Sequence, residues 1–291
     1  MMKIISWNVN GRVQDAARRQ VQAILRRDPD FIALQEVRKS GLAIWQQLLE
    51  ARGFEMVNTA HLLDKPYPAP PYPGYARTTD HIQRTYSNLI ASKLPLKELG
   101  GLEFVNRNER RLAFPEKYLG ASTKVDGREI EIHNGHVPPG SSRGMLKVHA
   151  YEAVRRRVDE RPRVPKLLCA DLNAPFAEDE AGPLPSGASQ RGVPAPADEW
   201  TRVQTARWVA AEAGLLEHPN LRDAYRVVRK PGTRFPASHH TRSGGKRYDY
   251  VLASPGIEIH NCKYLTQWMN ATGARKRLSD HAGVEVEFSI V

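Results

Sequence analysis

The most constraining feature of the chain is an alternation. Apolar runs of five or six residues recur between longer amphipathic stretches. Lys3–Trp7, Phe31–Gln35, Ser87–Ser92, Gly120–Val125, Arg128–His133, Lys166–Ala170, Tyr248–Ala253 and Val284–Phe288 have the length and β-branched content of strands. Helical periodicity covers Asp15–Arg27, Ser40–Arg52, Met145–Asp159 and Glu199–Ala213. In the first of these, Ala17, Val21, Ile24 and Leu25 fall on one face and leave the arginines opposite. Pro29 ends that helix, Ser40 and Gly53 are the cap and terminator of the second, and Gly214 is the expected end of the fourth. Asp126-Gly127 between two apolar runs is a hairpin signal, so part of the sheet is antiparallel. The pattern predicts a mixed α/β protein without internal repeats.

The chain has 291 residues, enough to bury a large core without disulfides or a structural metal. Its two cysteines, Cys169 and Cys262, fit neither a disulfide framework nor a zinc site. No apolar run has the length of a membrane span, and the start reads as neither a secretion signal nor a transit peptide, so the expected setting is the cytoplasm without a membrane. Residues 64–75 and 182–197 are rich in Pro, Gly or Ser and read as loops. The expectation is one domain over 1–291, with insertions near 61–86 and 176–198. A net charge of +11 favours an anionic partner. Clusters at Arg18-Arg19, Arg26-Arg27, Arg155–Arg157 and Arg275–Arg277 are each a solvated face when taken alone.

Polar residues gather where the apolar runs stop. Asn8 and Asn10 follow the first, Glu36 the second and His136 the fifth; Asp171 and Asn173 follow KLLCA; Asp249 lies in YDYVLA; Asp280-His281 precede the last run. Strand ends on a rigid sheet are where ligands collect. Oxygen donors and imidazoles suit a hard cation beside a phosphate. Each residue also has an ordinary structural reading: Glu36 as a strand-end charge, Asp171-Leu172-Asn173 as a turn, Asp280-His281 as a capped turn, Asp249 as an ion-pair partner of Lys246 or Arg247.

The ordered set resembles the endonuclease/exonuclease/phosphatase superfamily. The matching blocks are Ser6-Trp7-Asn8-Val9-Asn10-Gly11-Arg12, Leu34-Gln35-Glu36-Val37, Asn134-Gly135-His136-Val137-Pro138-Pro139-Gly140, Ala170-Asp171-Leu172-Asn173, Arg247-Tyr248-Asp249-Tyr250-Val251 and Leu278-Ser279-Asp280-His281. As a group they look most like the exonuclease III branch of abasic-site nucleases. The resemblance implies a four-layer α/β sandwich of the deoxyribonuclease I type, two packed mixed sheets flanked by helices, with a Mg²⁺- or Mn²⁺-dependent phosphoesterase site at one edge. It makes Glu36 the main metal carboxylate, with Asn8 and Asp280 beside it. It makes Asp171 the residue that orients or deprotonates water, Asn173 a phosphate-steadying amide, and Asp249–His281 a carboxylate–histidine pair whose imidazole is held in its charged form. His136 is a general acid or phosphate ligand. Asn10, Arg12, Arg247 and Asn88 are the candidate substrate-binding residues.

Three departures bear on substrate. His136 stands where the exonuclease III branch has tyrosine and where deoxyribonuclease I and the lipid and inositol phosphatases have histidine. Pro139 replaces an amide of some abasic-site nucleases, and Ser238-His239-His240 replaces an aromatic cluster. His239 and His240 read as surface loop residues, a second metal site there resting on adjacency alone. Tyr67, Tyr72 and Tyr75 with Arg77, His81 and Arg84 have the composition of a base-stacking, phosphate-gripping loop or of a rigid proline loop. The expected function is a nuclease cleaving DNA phosphodiesters, at abasic sites or from 3′ ends. The rivals are a phosphatase or phosphodiesterase on inositol, lipid or small phosphates, and a non-catalytic DNA-binding module.

Overall fold

The computed structural model describes residues 1–64, 84–99, 114–139, 145–174, 177–179, 182–184, 199–242, 244–270 and 277–291. Most of the two proline-rich loops and the Arg275-Lys276 pair, with the tyrosines between 67 and 75, lie outside the described residues. The strands of the first sheet are β1 (Met2–Asn8), β2 (Phe31–Arg38), β3 (Glu55–Asn58), β4 (Tyr86–Ser92), β15 (Ile257–Leu265) and β16 (Gly283–Ile290). Those of the second are β5 (Lys97–Glu98), β6 (Tyr118–Val125), β7 (Arg128–His136), β8 (Lys166–Asp171), β11 (Arg222–Asp223) and β14 (Asp249–Ala253). Two small hairpins are made by β9 (Ala177–Asp179) with β10 (Gly182–Leu184), and by β12 (His239–Thr241) with β13 (Gly244–Lys246). The helices are α1 (Gln14–Leu25), α2 (Leu42–Glu50), α3 (Met145–Asp159), α4 (Glu199–Leu216) and α5 (Ala224–Val228).

Each sheet is mixed, with the same plan. The orders are β15-β16-β1-β2-β4-β3 and β11-β14-β8-β7-β6-β5. In each, a single parallel pair, β1/β2 or β7/β8, is joined through a helix, α1 or α3, and the remaining pairs are antiparallel. A parallel pair needs such a crossover, and ligands collect beyond the carboxyl ends of its strands.

Alternation along the central strands explains the layers. Phe31 and Ala33 enter the core between the sheets, while Ile32 and Leu34 face the outer layer with Val21, Ile24 and Trp45. Leu167 and Cys169 point inward, while Leu168 and Ala170 meet Tyr151, Val154 and Leu215. A strand buried on both faces reads as a continuous apolar run because both sets of side chains are covered. The result is a four-layer α/β sandwich with helices outside two facing sheets. Asn134 ties the sheets together, its Nδ2 donating to the Leu34 and Leu89 carbonyls at 2.8 and 2.9 Å.

Local signals differ in how far they hold. Asp126 and Gly127 both have positive φ, +49° and +80°, as a two-residue hairpin turn demands. Ser40 does not cap α2; it lies in a short 3₁₀ turn, Lys39–Gly41. Gly214 does not end α4, which runs on to Leu216 because Leu215 is fully buried. Both cysteines are free and buried. None of the helices, among the described residues, is long and apolar enough to cross a membrane.

Candidate active site

The carboxyl ends of the two parallel pairs meet at one edge of the sandwich. Across the second sheet His136 pairs with Asp171 and Asp171 with Asp249, so three polar residues stand level at the ends of β7, β8 and β14. From the first sheet Asn8 ends β1 and reaches across, its Nδ2 donating to Asp171 Oδ2 at 2.9 Å. Asn8 Oδ1 accepts from the Asn10 backbone N–H at 3.0 Å. Asn8 thereby orients Asp171 from the first sheet.

Glu36 is aimed into the cleft by a bulge. Leu34 pairs with Leu89 and Val37 with Ser87, so Gln35 and Glu36 together face Asn88 alone. Glu36 takes φ +56°, a left-handed conformation that non-glycine residues seldom adopt and that clusters at functional sites. Its carbonyl accepts from the Gly11 N–H at 2.9 Å. Gly11 has φ +54°, and a Cβ there would lie 2.3 Å from the Tyr86 ring. Glycine is therefore required at that close approach.

The C-terminal block is pinned to β1. Ser279 Oγ donates to the Asn8 carbonyl at 2.6 Å, and Trp7 Nε1–H donates to the His281 carbonyl at 2.9 Å. His281 Nδ1 lies 2.8 Å from Asp249 Oδ2, and its Nε2 lies 3.9 Å from Asp171 Oδ2. His136 Nε2 lies 3.5 Å from Glu36 Oε1 and 3.8 Å from Asp171 Oδ2. Asp171 is thus the hub of the cluster, and Glu36 joins it through His136. Glu36, His136, Asp171 and His281 line a cavity of about 440 Å³ with Tyr86, Lys117, His239 and Asp280.

The electrostatics separate the ionisable groups. Burial raises the Asp171 pKa to about 7. Burial alone would lower the His281 pKa, but the Asp249 and Asp171 carboxylates outweigh it and raise it to about 9. Asp249 and His281 therefore form a carboxylate–imidazolium pair near neutral pH. Burial, then the Lys117 charge, then His281 push His136 well below its usual value. Lys117 Nζ donates to His136 Nδ1 at 3.0 Å, which leaves a neutral ring with its proton on Nε2, toward Glu36.

The other expected residues are placed as follows. Asn173 has φ +48°; its N–H donates to Asp171 Oδ1 at 3.0 Å and its Nδ2 to the Val137 carbonyl at 2.8 Å. Arg12 Nε has no hydrogen-bond partner among the described residues, and its charge lowers the pKa of Arg277 after burial does. Arg277 in turn lies beside Asp280, whose Oδ2 is 3.8 Å from Arg277 Nη2. Two candidate substrate contacts are turned inward. Arg247 is enclosed by Glu178, Asp223 and Tyr264 and its guanidinium stacks 4.2 Å from the Tyr250 ring centroid, so it supports the scaffold. Asn88 is buried, its Nδ2 donating to the Lys117 and Asn134 carbonyls.

His239 is no surface loop residue. It pairs with His281 across an antiparallel bridge, its ring stacked on the His281 ring at 4.4 Å between centroids. The sequence marked His239 only as part of Ser238-His239-His240, and Lys117 had no local signal; a strand pairing and a cross-strand reach place them at the site. One ligand atom from each of His239, Asp280 and His281, and likewise of Asp171, Asp249 and His281, lies within 4.8 Å of the others. Asp249 Oδ1 has no hydrogen-bond partner among the described residues. Glu36, Asp171 and Asp280 line the cavity, with the Asp249 carboxylate buried behind them, and such a set of oxygen donors fits a hard divalent cation.

The sequence matches the Endonuclease/Exonuclease/phosphatase family over residues 5–281. The chain belongs to that family. Its members are phosphoesterase hydrolases that use divalent metals, and the chain is an enzyme of that class. No curated protein matches it. Among solved structures, an AP endonuclease from Archaeoglobus fulgidus has 17% identity and a TM-score of 0.65, with 100% of each chain covered. D. rerio TDP2 complexed with single strand DNA product has 14% identity and a TM-score of 0.62, covering 99% of this chain and 98% of that one. The 3′ phosphatase NExo from Neisseria, bound to product DNA hairpin, has 20% identity and a TM-score of 0.56, covering 99% and 100%. At these identities the likeness establishes the shared fold.

Proposed function

We propose that this family member is a Mg²⁺- or Mn²⁺-dependent nuclease that hydrolyses DNA phosphodiester bonds, at abasic sites or from 3′ ends. The observation that carries the reading is the convergence on Asp171: Asn8, His136 and His281 approach one carboxylate oxygen, with Glu36 and Asp280 lining the same cavity. Glu36 and Asp280 would hold the cation, which when bound neutralises phosphoryl oxygens and polarises them. Asp171, steadied by Asn8 and the Asn173 N–H, accepts a proton from the attacking water. The His281 imidazolium, backed by Asp249, donates to a nonbridging phosphate oxygen where negative charge grows. Neutral His136 contributes an Nε2–H donor and cannot serve as a strong general acid. Arg12 and Arg277 would meet flanking phosphates. Neighbours of the same fold that act on DNA, an AP endonuclease and a 3′ phosphatase among them, support this substrate class.

The test is incubation of the full chain with abasic duplex, intact duplex, single strands and inositol phosphates, with Mg²⁺ or with EDTA. Metal-dependent DNA cleavage is expected, falling about 10²–10⁴-fold in Asp171→Asn. Cleavage that survives EDTA or Asp171→Asn would sink the reading. Turnover of inositol phosphates without DNA cleavage would favour the rival that a histidine at position 136 suggests.

A further inference from the structure

Beneath the Asp171–Asn173 turn lies a buried ion pair with no part in the roles above. Lys147, in the first turn of α3, is 1% exposed, and Glu212, on α4, is 0% exposed. Lys147 Nζ lies 2.5 Å from Glu212 Oε1 and donates to the Asn173 carbonyl at 2.8 Å. Trp208 Nε1–H donates to the same glutamate oxygen at 2.8 Å. The Tyr151 hydroxyl, one turn along α3, donates to the Leu172 carbonyl at 2.8 Å. Both carbonyls that follow Asp171 are therefore gripped by side chains of an outer helix.

The grip acts on a residue in an uncommon conformation. The φ of Asn173, +48°, lies in the left-handed region, which asparagine tolerates better than other non-glycine residues but which is still less populated than the right-handed one. That same conformation aims its N–H at Asp171 Oδ1, 3.0 Å away. A buried ion pair is a poor source of stability, since well-packed apolar side chains of like volume often do as well or better. An apolar pair at 147 and 212 could not donate to the Asn173 carbonyl. That is the difference the charges make.

We propose that Lys147, charge-balanced by Glu212, is a positioning residue: it holds Asn173 in its left-handed conformation and so fixes the orientation of the Asp171 carboxylate. The proposal rests on the nuclease reading for its catalytic consequence, while the turn's order is a property of the protein alone.

The test uses the full chain as wild type, Lys147→Met, and the double variant Lys147→Met with Glu212→Gln. Lys147→Met alone leaves the Glu212 charge without its ammonium and should melt well below wild type. The double variant removes both charges while Gln still accepts from Trp208, so its melting temperature should return to within about 4 °C of wild type. Its kcat on the cleaved DNA substrate should nonetheless stay down by about tenfold or more, with KM changed less than about twofold, because a misplaced base costs turnover more than binding. Backbone hydrogen exchange over residues 170–174 should quicken in the double variant while the core strands exchange as before. Wild-type kcat in the double variant, unchanged exchange over 170–174, or exchange quickened throughout the molecule would each overturn the proposal. If wild-type protein cleaves no DNA, the nuclease reading falls, and the exchange measurement by itself decides the positioning role.

Discussion

At the scale of single residues, the site works through contrast between groups of one kind. Three histidines share the cleft, yet their surroundings set them differently. His281 is raised to about 9 by Asp249 and Asp171, His239 is lowered to about 4 by burial first and by His281 next, and His136 is held neutral. NMR titration of the metal-free protein should show His281 protonating near pH 9 and His239 near pH 4, and Asp249→Asn should move the His281 midpoint down. A His281 midpoint near the ordinary value of about 6.5 would show that the carboxylate pair does not govern it. The sign for stability follows. The folded state binds the His281 proton more tightly than the unfolded chain, so this contribution is complete below about pH 6.5 and is lost as pH rises through about 9.

At the scale of elements, tertiary packing overrides local signals where a neighbour has a stronger claim. Gly214 reads as a helix stop, but a Cβ there would lie 2.5 Å from Arg155 Nη1, so glycine admits the side chain of a neighbouring helix while α4 continues. Glu36 reads as an ordinary strand-end charge, and only the bulge against β4 turns it to the cleft. Arg247 sits in a block that resembles family motifs and yet belongs to the interior. It connects β14 to Glu178 on β9 and Asp223 on β11, and Tyr264, to which it donates, donates in turn to the Asp249 carbonyl at 2.6 Å. Replacing it with Met leaves two nearly buried carboxylates, Glu178 and Asp223, sharing Arg226 as their remaining counter-charge. Arg247→Met should cost about 3–5 kcal/mol of unfolding free energy, read by urea denaturation. A loss under about 1 kcal/mol, with selective loss of DNA binding, would return Arg247 to the substrate.

At the scale of the whole molecule, the 43 Lys and Arg residues behind the net charge of +11 divide into paired and available cations. Arg27 is paired with Glu285, Arg157 with Glu160, and Arg161 with Glu129 and Glu131. The Arg12 charge lowers the Arg277 pKa after burial does, a repulsion that a bound polyanion would relieve. DNA binding should therefore weaken steeply with salt, and Arg12→Ala should lower the log–log salt slope by about 1 without altering which strand is cleaved. A slope unchanged by Arg12→Ala would take that residue out of the phosphate path.

What could be read before any coordinates was whatever repeats along the chain or lies within a few residues. The apolar runs and the Asp126-Gly127 turn depend on local sterics and on period and suffice for the α/β class, while the ordered polar blocks carried the resemblance to the family that the chain belongs to. The extra strands β3 and β15 escaped because their outer positions are exposed or half-buried, which dilutes the apolar signal. Direction and company were decided by the tertiary structure alone. That Asn8 reaches Asp171, that Arg247 is turned into the interior, and that Lys117 and His239 line the cavity all depend on contacts between residues far apart in sequence. Such contacts leave no local trace, because the backbone between them carries no record of what its ends will touch once the two sheets close.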